Sequence, residues 1–337
     1  MATKRVFFVL MIAVLAAAIA LAARVPLVSG QAPTPVKVEL ASYESNPVVA
    51  RGAAGEWDSG FVFAGNVIYK DGSYHMFYAG GEDFSAKPHA IGYATSEDGL
   101  HWTKSASNPI LKMNPAIASG DIPYAMPVVD GDTWVLYFND SQYLTIRRAT
   151  APAPTGPWTM DEQPVLEAGG SQEWDAAAIA INTVFHDPDQ YVLYYHPKAF
   201  AIGMATSPDG ITWTKYNDPA TTDPKYANSD PVFVVGEKGA WDSSDVVPTV
   251  LHTDRGWEMF YMGSGDSGQT WDLGYATSAD GVIWTRFGDG PVMARPAEYF
   301  FWLEGTLIVD DQYYIYHDMF SATGVDLGVV VATVTWE

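Results

Sequence analysis

Cysteine is absent from all 337 residues. That excludes disulfides, thiolate-ligated zinc, thiolate catalysis and lipid attachment through a cysteine. Positive charge is scarce: 18 Lys and Arg against 40 Asp and Glu give a net charge of −22. A protein that grips nucleic acid through phosphates needs cations to displace counterions, so nucleic acid is not an expected partner. Charge of either sign is modest, at 17% of residues, whereas 48% are hydrophobic and 14% aromatic. Acidic disordered chains are poor in aromatics, so this composition belongs to a folded chain. No stretch of the main body carries the apolar period of a helix. The Gly-rich segment 263–268 has no helix after it and carries no phosphate-site meaning.

There is one long apolar run. Lys4 and Arg5 precede residues 6–23, and Arg24, Pro26, Ser29, Gly30 and Ala32 follow. A basic start, an apolar middle and a small-residue end read as a secretory signal. The run is also just long enough to span a bilayer, which leaves a retained anchor as the alternative. Residues 1–31 are therefore expected to be a signal or anchor and residues 32–41 a proline-containing linker. Residues 42–337 are expected to be an exported domain, extracellular or in the cell envelope, touching a membrane only through an uncleaved N-terminus.

The rest of the chain repeats. Ile91-Gly-Tyr-Ala-Thr-Ser-Glu-Asp-Gly-Leu-His-Trp102 recurs at 202–213 and 273–284, with weaker copies ending at Trp158 and Trp336. Each reads as a hairpin: an apolar strand, an Asp-Gly turn and a returning strand opened by Trp. Asp98, Asp209 and Asp280 are its turn residues. Before each hairpin lies an aromatic strand, at 74–78, 134–138, 191–195, 257–261 and 313–316, preceded by a turn signal and an apolar strand. Asn46-Pro-Val, Gln163-Pro-Val and Asp230-Pro-Val lead to Trp57-Asp58, Trp174-Asp175 and Trp241-Asp242, whereas the junctions at Asn108 and Gly290 lack the Trp-Asp pair. Five four-stranded units without helices predict an all-β fold, a five-bladed β-propeller of antiparallel blades. A sandwich has no reason to repeat its sequence, and solenoid turns are shorter. Asn46-Pro-Val stands before the first unit, which predicts that the N-terminal segment completes the fifth blade and closes the ring.

With these units the chain resembles the five-bladed propellers of glycoside hydrolase families 43, 32 and their relatives. The resemblance implies an axial pocket and a triad of two Asp and one Glu carried by first strands. It also implies a carbohydrate partner, an arabinan, xylan or fructan. Glu304-Gly-Thr-Leu-Ile, nine residues before Tyr313, is similar to the strand that carries the general acid. The same offset falls on Gly65, Ala125, Asn182 and Pro248, and the family's Asp positions have no counterpart at 63–66 or 124–127.

Glycoside cleavage needs one carboxyl protonated and another ionised, a difference set by burial and neighbouring charge. Glu304 is expected to be the acid, with Asp58 ahead of Asp245 and Asp121 as base. Tyr124, Asp175, His196, Asp242, Tyr299, Trp302 and His317 are expected to bind substrate, the aromatics by stacking on sugar faces. Recurrence of Asp58, Asp175 and Asp242 in register offers a structural alternative, capping a strand start. Second-strand ends add Glu82, Asp83, Asn139, Asp140, Asp266 and Asp318 to the same rim. No metal site is expected, although the abundance of oxygen ligands leaves room for Ca²⁺. The alternative function is a non-catalytic carbohydrate-binding propeller at the cell surface. A sialidase-like reading fares worse. The hairpin Ser96-Glu-Asp-Gly lacks one residue of the Asp-box spacing, and arginines are few for a carboxylate grip.

Overall fold

Aromatic and aliphatic residues together form a buried second strand in each unit, and the first and third strands pair to either side of it. The computed structural model describes residues 34–63, 65–83, 89–113, 124–140, 144–187, 189–197, 200–296 and 300–337. The expected signal or anchor, 1–31, lies outside them. Apart from a single 3₁₀ turn, Pro224–Tyr226, all regular structure among the described residues is β.

The strands are β1 (Pro35–Ser42), β2 (Phe61–Phe63), β3 (Val67–Lys70), β4 (Ser73–Gly81), β5 (Ala90–Ser96), β6 (Trp102–Lys104) and β7 (Leu111–Lys112). The second unit holds β8 (Met126–Asp130), β9 (Thr133–Asp140), β10 (Thr145–Ala151), β11 (Thr159–Met160) and β12 (Leu166–Glu167). The third holds β13 (Ala180–Asp187), β14 (Gln190–His196), β15 (Ala201–Ser207), β16 (Thr214–Lys215) and β17 (Phe233–Val234). The fourth holds β18 (Asp245–Thr253), β19 (Gly256–Ser264), β20 (Asp272–Ser278) and β21 (Trp284–Arg286). The last is β22 (Phe300–Val309), β23 (Gln312–Ser321) and β24 (Gly324–Trp336).

Within a unit, pairing is antiparallel and sequential, as in β18-β19-β20-β21. Each third strand also accepts the short segment after a Pro junction: β7 on β5, β12 on β10, β17 on β15, and isolated bridges from Met293 to Leu273 and Val49 to Leu327. The fifth unit takes its fourth strand from the N-terminus, since β1 pairs with β24 from Ser42↔Val330 to Pro35↔Trp336. This corrects the linker expected over 32–41. Val38 and Leu40 alternate with Lys37 and Glu39 and pack on the buried cluster of the fifth unit. Pro35 stands at the strand start, where its missing N–H costs no ladder bond.

First strands pack on one another in succession: β3 on β8, β8 on β13, β13 on β18, β18 on β22, and β22 on β3. Tyrosines bind the units together. The hydroxyl of Tyr137 donates to the carbonyl of Gly210 at 2.7 Å, Tyr194 to Gly281 at 2.8 Å, and Tyr316 to Gly99 at 2.8 Å. Each acceptor is the hairpin glycine of another unit, with φ between 69° and 75°. Glycine is needed there twice over, for the left-handed backbone and because a Cβ at Gly210 would lie 2.5 Å from the tyrosine oxygen.

Candidate active site

Register breaks in the first strand of the fifth unit between Leu303 and Thr306, so Glu304 and Gly305 form a β-bulge. A bulge re-aims a side chain, and here it turns an acid into the interior. Gly305 permits the close approach: a Cβ on it would lie 2.4 Å from Asn66 Oδ1 of the first unit. Glu304 is only 3% exposed, and it hydrogen-bonds the fully buried Asp318 of β23. Burial, then the charge of Asp318, then that hydrogen bond hold the Glu304 carboxyl well above the usual carboxylate range. Its Oε1 and the Oγ1 of Thr306 have no hydrogen-bond partner among the described residues. The carboxyl therefore holds its proton more tightly than an ordinary glutamate does, and Oε1 keeps bonding capacity.

The third unit carries a bulge at the equivalent place, between Ile181 and Thr183. Asn182 occupies the position of Glu304, and His196 that of Asp318. His196 Nδ1 and Asn182 Oδ1 are 2.6 Å apart. An amide oxygen can only accept, so Nδ1 carries the proton and Nε2 is left as an acceptor. Asn139 of the second unit also takes this position. Its Nδ2 donates to the carbonyl of Ile179 and its Oδ1 accepts from the N–H of Ile181, both at 2.9 Å.

His317, beside Asp318, is fully buried, and its ring packs 4.4 Å from that of Phe301. Burial lowers the pKa of both His196 and His317 to about 4. Both stay neutral in the folded chain while their unfolded counterparts titrate near 6.5. Their contribution to stability is thus full above about 6.5 and lost as pH falls towards about 4, on the order of 3 kcal/mol per residue. A Tm that declines over this range, followed by circular dichroism, with a flatter decline in His196→Gln, is the expected result. A pH-independent Tm there would contradict it.

The Trp-Asp residues form a different structure. Asp58 accepts from Lys104 Nζ at 2.6 Å and from the Tyr78 hydroxyl at 3.3 Å. Asp175 does the same with Lys215 at 2.6 Å and Tyr195 at 3.0 Å, and Asp242 with Arg286 at 2.8 Å and Tyr261 at 3.2 Å. Each preceding Trp stacks on the same Tyr, with centroids 5.5–6.0 Å apart. The cation always comes from the unit's outermost strand, so these carboxylates lie over their own sheets rather than on the inner strands. Sequence held an unread sign of this. Trp102-Thr-Lys, Trp213-Thr-Lys and Trp284-Thr-Arg carry the cations, whereas the units without Trp-Asp end in Trp158-Thr-Met and Trp336-Glu.

Asp245 begins β18, next to β22, half-buried and accepting from Ser244 Oγ at 2.6 Å. Asp121 and Tyr299 lie outside the described residues. Aromatics run from unit to unit near the acid. Trp271 meets Trp302 at 5.2 Å, Phe300 meets Trp302 at 6.2 Å and Phe320 at 5.4 Å, and Phe63 meets Phe320 at 5.9 Å and Tyr124 at 5.2 Å. The indole N–H of Trp302 is buried without an acceptor among the described residues. Among the described residues, no group of three or more His, Asp or Glu side chains is arranged to hold a metal ion.

No protein-family model and no curated protein matches the chain. Solved structures do. A glycosyl hydrolase from Bacteroides ovatus superposes with a TM-score of 0.67 at 17% identity, covering 89% of this chain and 96% of that one. The β-1,2-mannobiose phosphorylase of Listeria innocua, solved with β-1,2-mannobiose, gives 0.60 at 16%, covering 87% and 96%. Zg3597, a family 117 glycoside hydrolase of Zobellia galactanivorans, gives 0.60 at 14%, covering 89% and 91%. The chain therefore shares the fold of glycoside hydrolases across nearly all of its described length, as the sequence resemblance implied.

Proposed function

We propose that this protein is an exported O-glycosyl hydrolase, acting on a polysaccharide or oligosaccharide of the arabinan, xylan or fructan class. Its architecture in this reading is a five-bladed propeller, closed by β1 on β24. The cyclic order in which first strands touch, and the bond from Tyr316 to the first unit's Gly99, support that closure.

The observation that carries the activity is the buried, proton-retaining Glu304 beside Asp318. A protonated carboxyl can donate to the glycosidic oxygen as the bond breaks and an oxocarbenium-like sugar develops. Asp318 serves as a positioning residue: its charge keeps the proton on Glu304. It hydrogen-bonds Glu304 directly, so it cannot stand on the far side of a scissile bond, where the second carboxylate lies at least about 5 Å away. The ionised role falls to Asp245, on the strand beside β22. Asp58, bound to Lys104 and Tyr78 like its two copies, is a structural residue in this reading. So are Asp175 and Asp242, and substrate hydroxyls go instead to His196 Nε2 and the Trp302 indole. The aromatic run supplies stacking surface.

A panel of aryl arabinosides, xylosides, fructosides and mannosides, with the matching polysaccharides, tests the activity. Asp318→Asn separates positioning from mere structure. Without the neighbouring charge the Glu304 pKa falls, so the alkaline limb of the kcat/KM profile moves to lower pH. An unmoved limb would remove Asp318 from this role. Oligosaccharide binding with no turnover by the unmodified chain would instead establish the non-catalytic reading.

A further inference from the structure

The same Trp occurs in three units, yet it is not covered in the same way. In the third unit Trp174 is 3% exposed, and its indole N–H donates to the Ser229 carbonyl at 2.8 Å and to the Ser229 hydroxyl at 2.9 Å. Ser229 belongs to the long stretch between Lys215 and Asp230 that folds back over its own unit. In the first unit the corresponding stretch, between Lys104 and Asn108, is short, and Asn108 turns inward to donate to Tyr78 and Tyr93. Nothing replaces Ser229. Trp57 stays partly exposed, its indole N–H has no acceptor among the described residues, and a cavity of ≈ 320 Å³ lies against it. The lining is Trp57, Gly80, Gly81, Glu82, Pro109 and Lys112, together with Ala90.

We propose that this cavity is a second carbohydrate-binding site, distinct from the one at Glu304, that takes a neutral sugar residue of a glycan. The third-unit copy shows one partner this indole takes, a hydroxyl, and a sugar hydroxyl takes the place of Ser229 Oγ. The apolar part of Trp57 offers a surface for the C–H face of the ring. Glu82 accepts and Lys112 donates to further hydroxyls, both from exposed positions at the cavity edge. The volume suits a single ring or two, and Gly80 leaves room for the Trp57 ring, which a Cβ there would meet at 2.8 Å. A cation partner for an acidic sugar is not provided in excess, because Glu82 balances Lys112.

The test is saturation-transfer NMR and calorimetry on the full chain carrying Glu304→Gln, with xylobiose, arabinobiose and β-1,2-mannobiose as probes. Carrying this change prevents turnover without touching the cavity. The expected result is binding of at least one probe that is lost or weakened at least 10-fold by Glu82→Ala combined with Lys112→Ala. These are two exposed residues whose replacement leaves folding intact. Trp57→Phe keeps the ring but removes the N–H, and is expected to weaken the same binding about 5-fold, as loss of one hydrogen bond does. Binding that ignores all three substitutions, or no binding of any probe, overturns the proposal. Whether Glu304→Gln alone abolishes turnover is read separately and does not bear on these binding outcomes.

Discussion

Glu304→Gln is expected to lower kcat/KM on a susceptible glycoside by about 10²–10⁴-fold, the usual worth of a positioned general acid, and at the same time to raise Tm at neutral and alkaline pH. The two effects share a cause. Burial beside Asp318 raises the folded-state pKa of Glu304 above its unfolded value. The stability tied to that proton is complete below the unfolded value and is lost as pH rises through the folded one. Glutamine reproduces the neutral form, donates no proton to a leaving group, and never has to ionise in a buried place. The gain in Tm should therefore be absent in acid and grow with pH. Aryl substrates with good leaving groups, which need little protonation, should lose less rate than polysaccharides. Unaltered turnover in the variant would take Glu304 out of the mechanism. A Tm gain of the same size at every pH would leave the rate effect without the proposed cause.

Lys215→Met should be the most damaging change to stability outside the core, costing about 3–5 kcal/mol. Asp175 has no exposed surface, and the lysine is its only cationic partner among the described residues. Removing the lysine leaves a buried carboxylate with only the Tyr195 hydroxyl. Pairing it with Asp175→Asn should recover most of the loss, because the penalty comes from the stranded charge. The reciprocal experiment on Asp58 distinguishes the two roles considered for it. If Asp58 only holds Lys104 and Tyr78, Asp58→Asn with Lys104→Met melts earlier but turns over substrate normally below its Tm. A loss of kcat at full folding would return Asp58 to the catalytic set. Chemical denaturation and initial rates on the same samples decide between them.

The strand pattern could be read because it depends on local, repeated signals. Alternating aromatics and Asp-Gly hairpins announce themselves within a dozen residues, and the serines, aspartates and glycines of the hairpins bond as such a turn requires. Ser96 Oγ bonds Asp98 and accepts from the N–H of Gly99, and 207–210 and 278–281 repeat the set. Glu304 could be read because an acid inside an apolar strand contradicts its surroundings. Asp318 stood on the expected rim but had no reason to be preferred, since only the bulge at Glu304 and Gly305 brings the two carboxyls together. Register is a property of two strands, and a one-residue break leaves little trace in either sequence. The ion pair of Asp58 was hard to read for a related reason. Its partner lies 46 residues away, although the joint appearance of Trp-Asp and Trp-Thr-cation in the same three units was available all along.

The partnership of β1 with β24 also bears on how the molecule is made. The first of these strands to leave the ribosome must wait for the last, almost 300 residues later. Until then either the early strand or its future neighbour has a bare edge, open to any passing chain. Units in the middle can settle as they emerge, but the final seam is post-translational by construction.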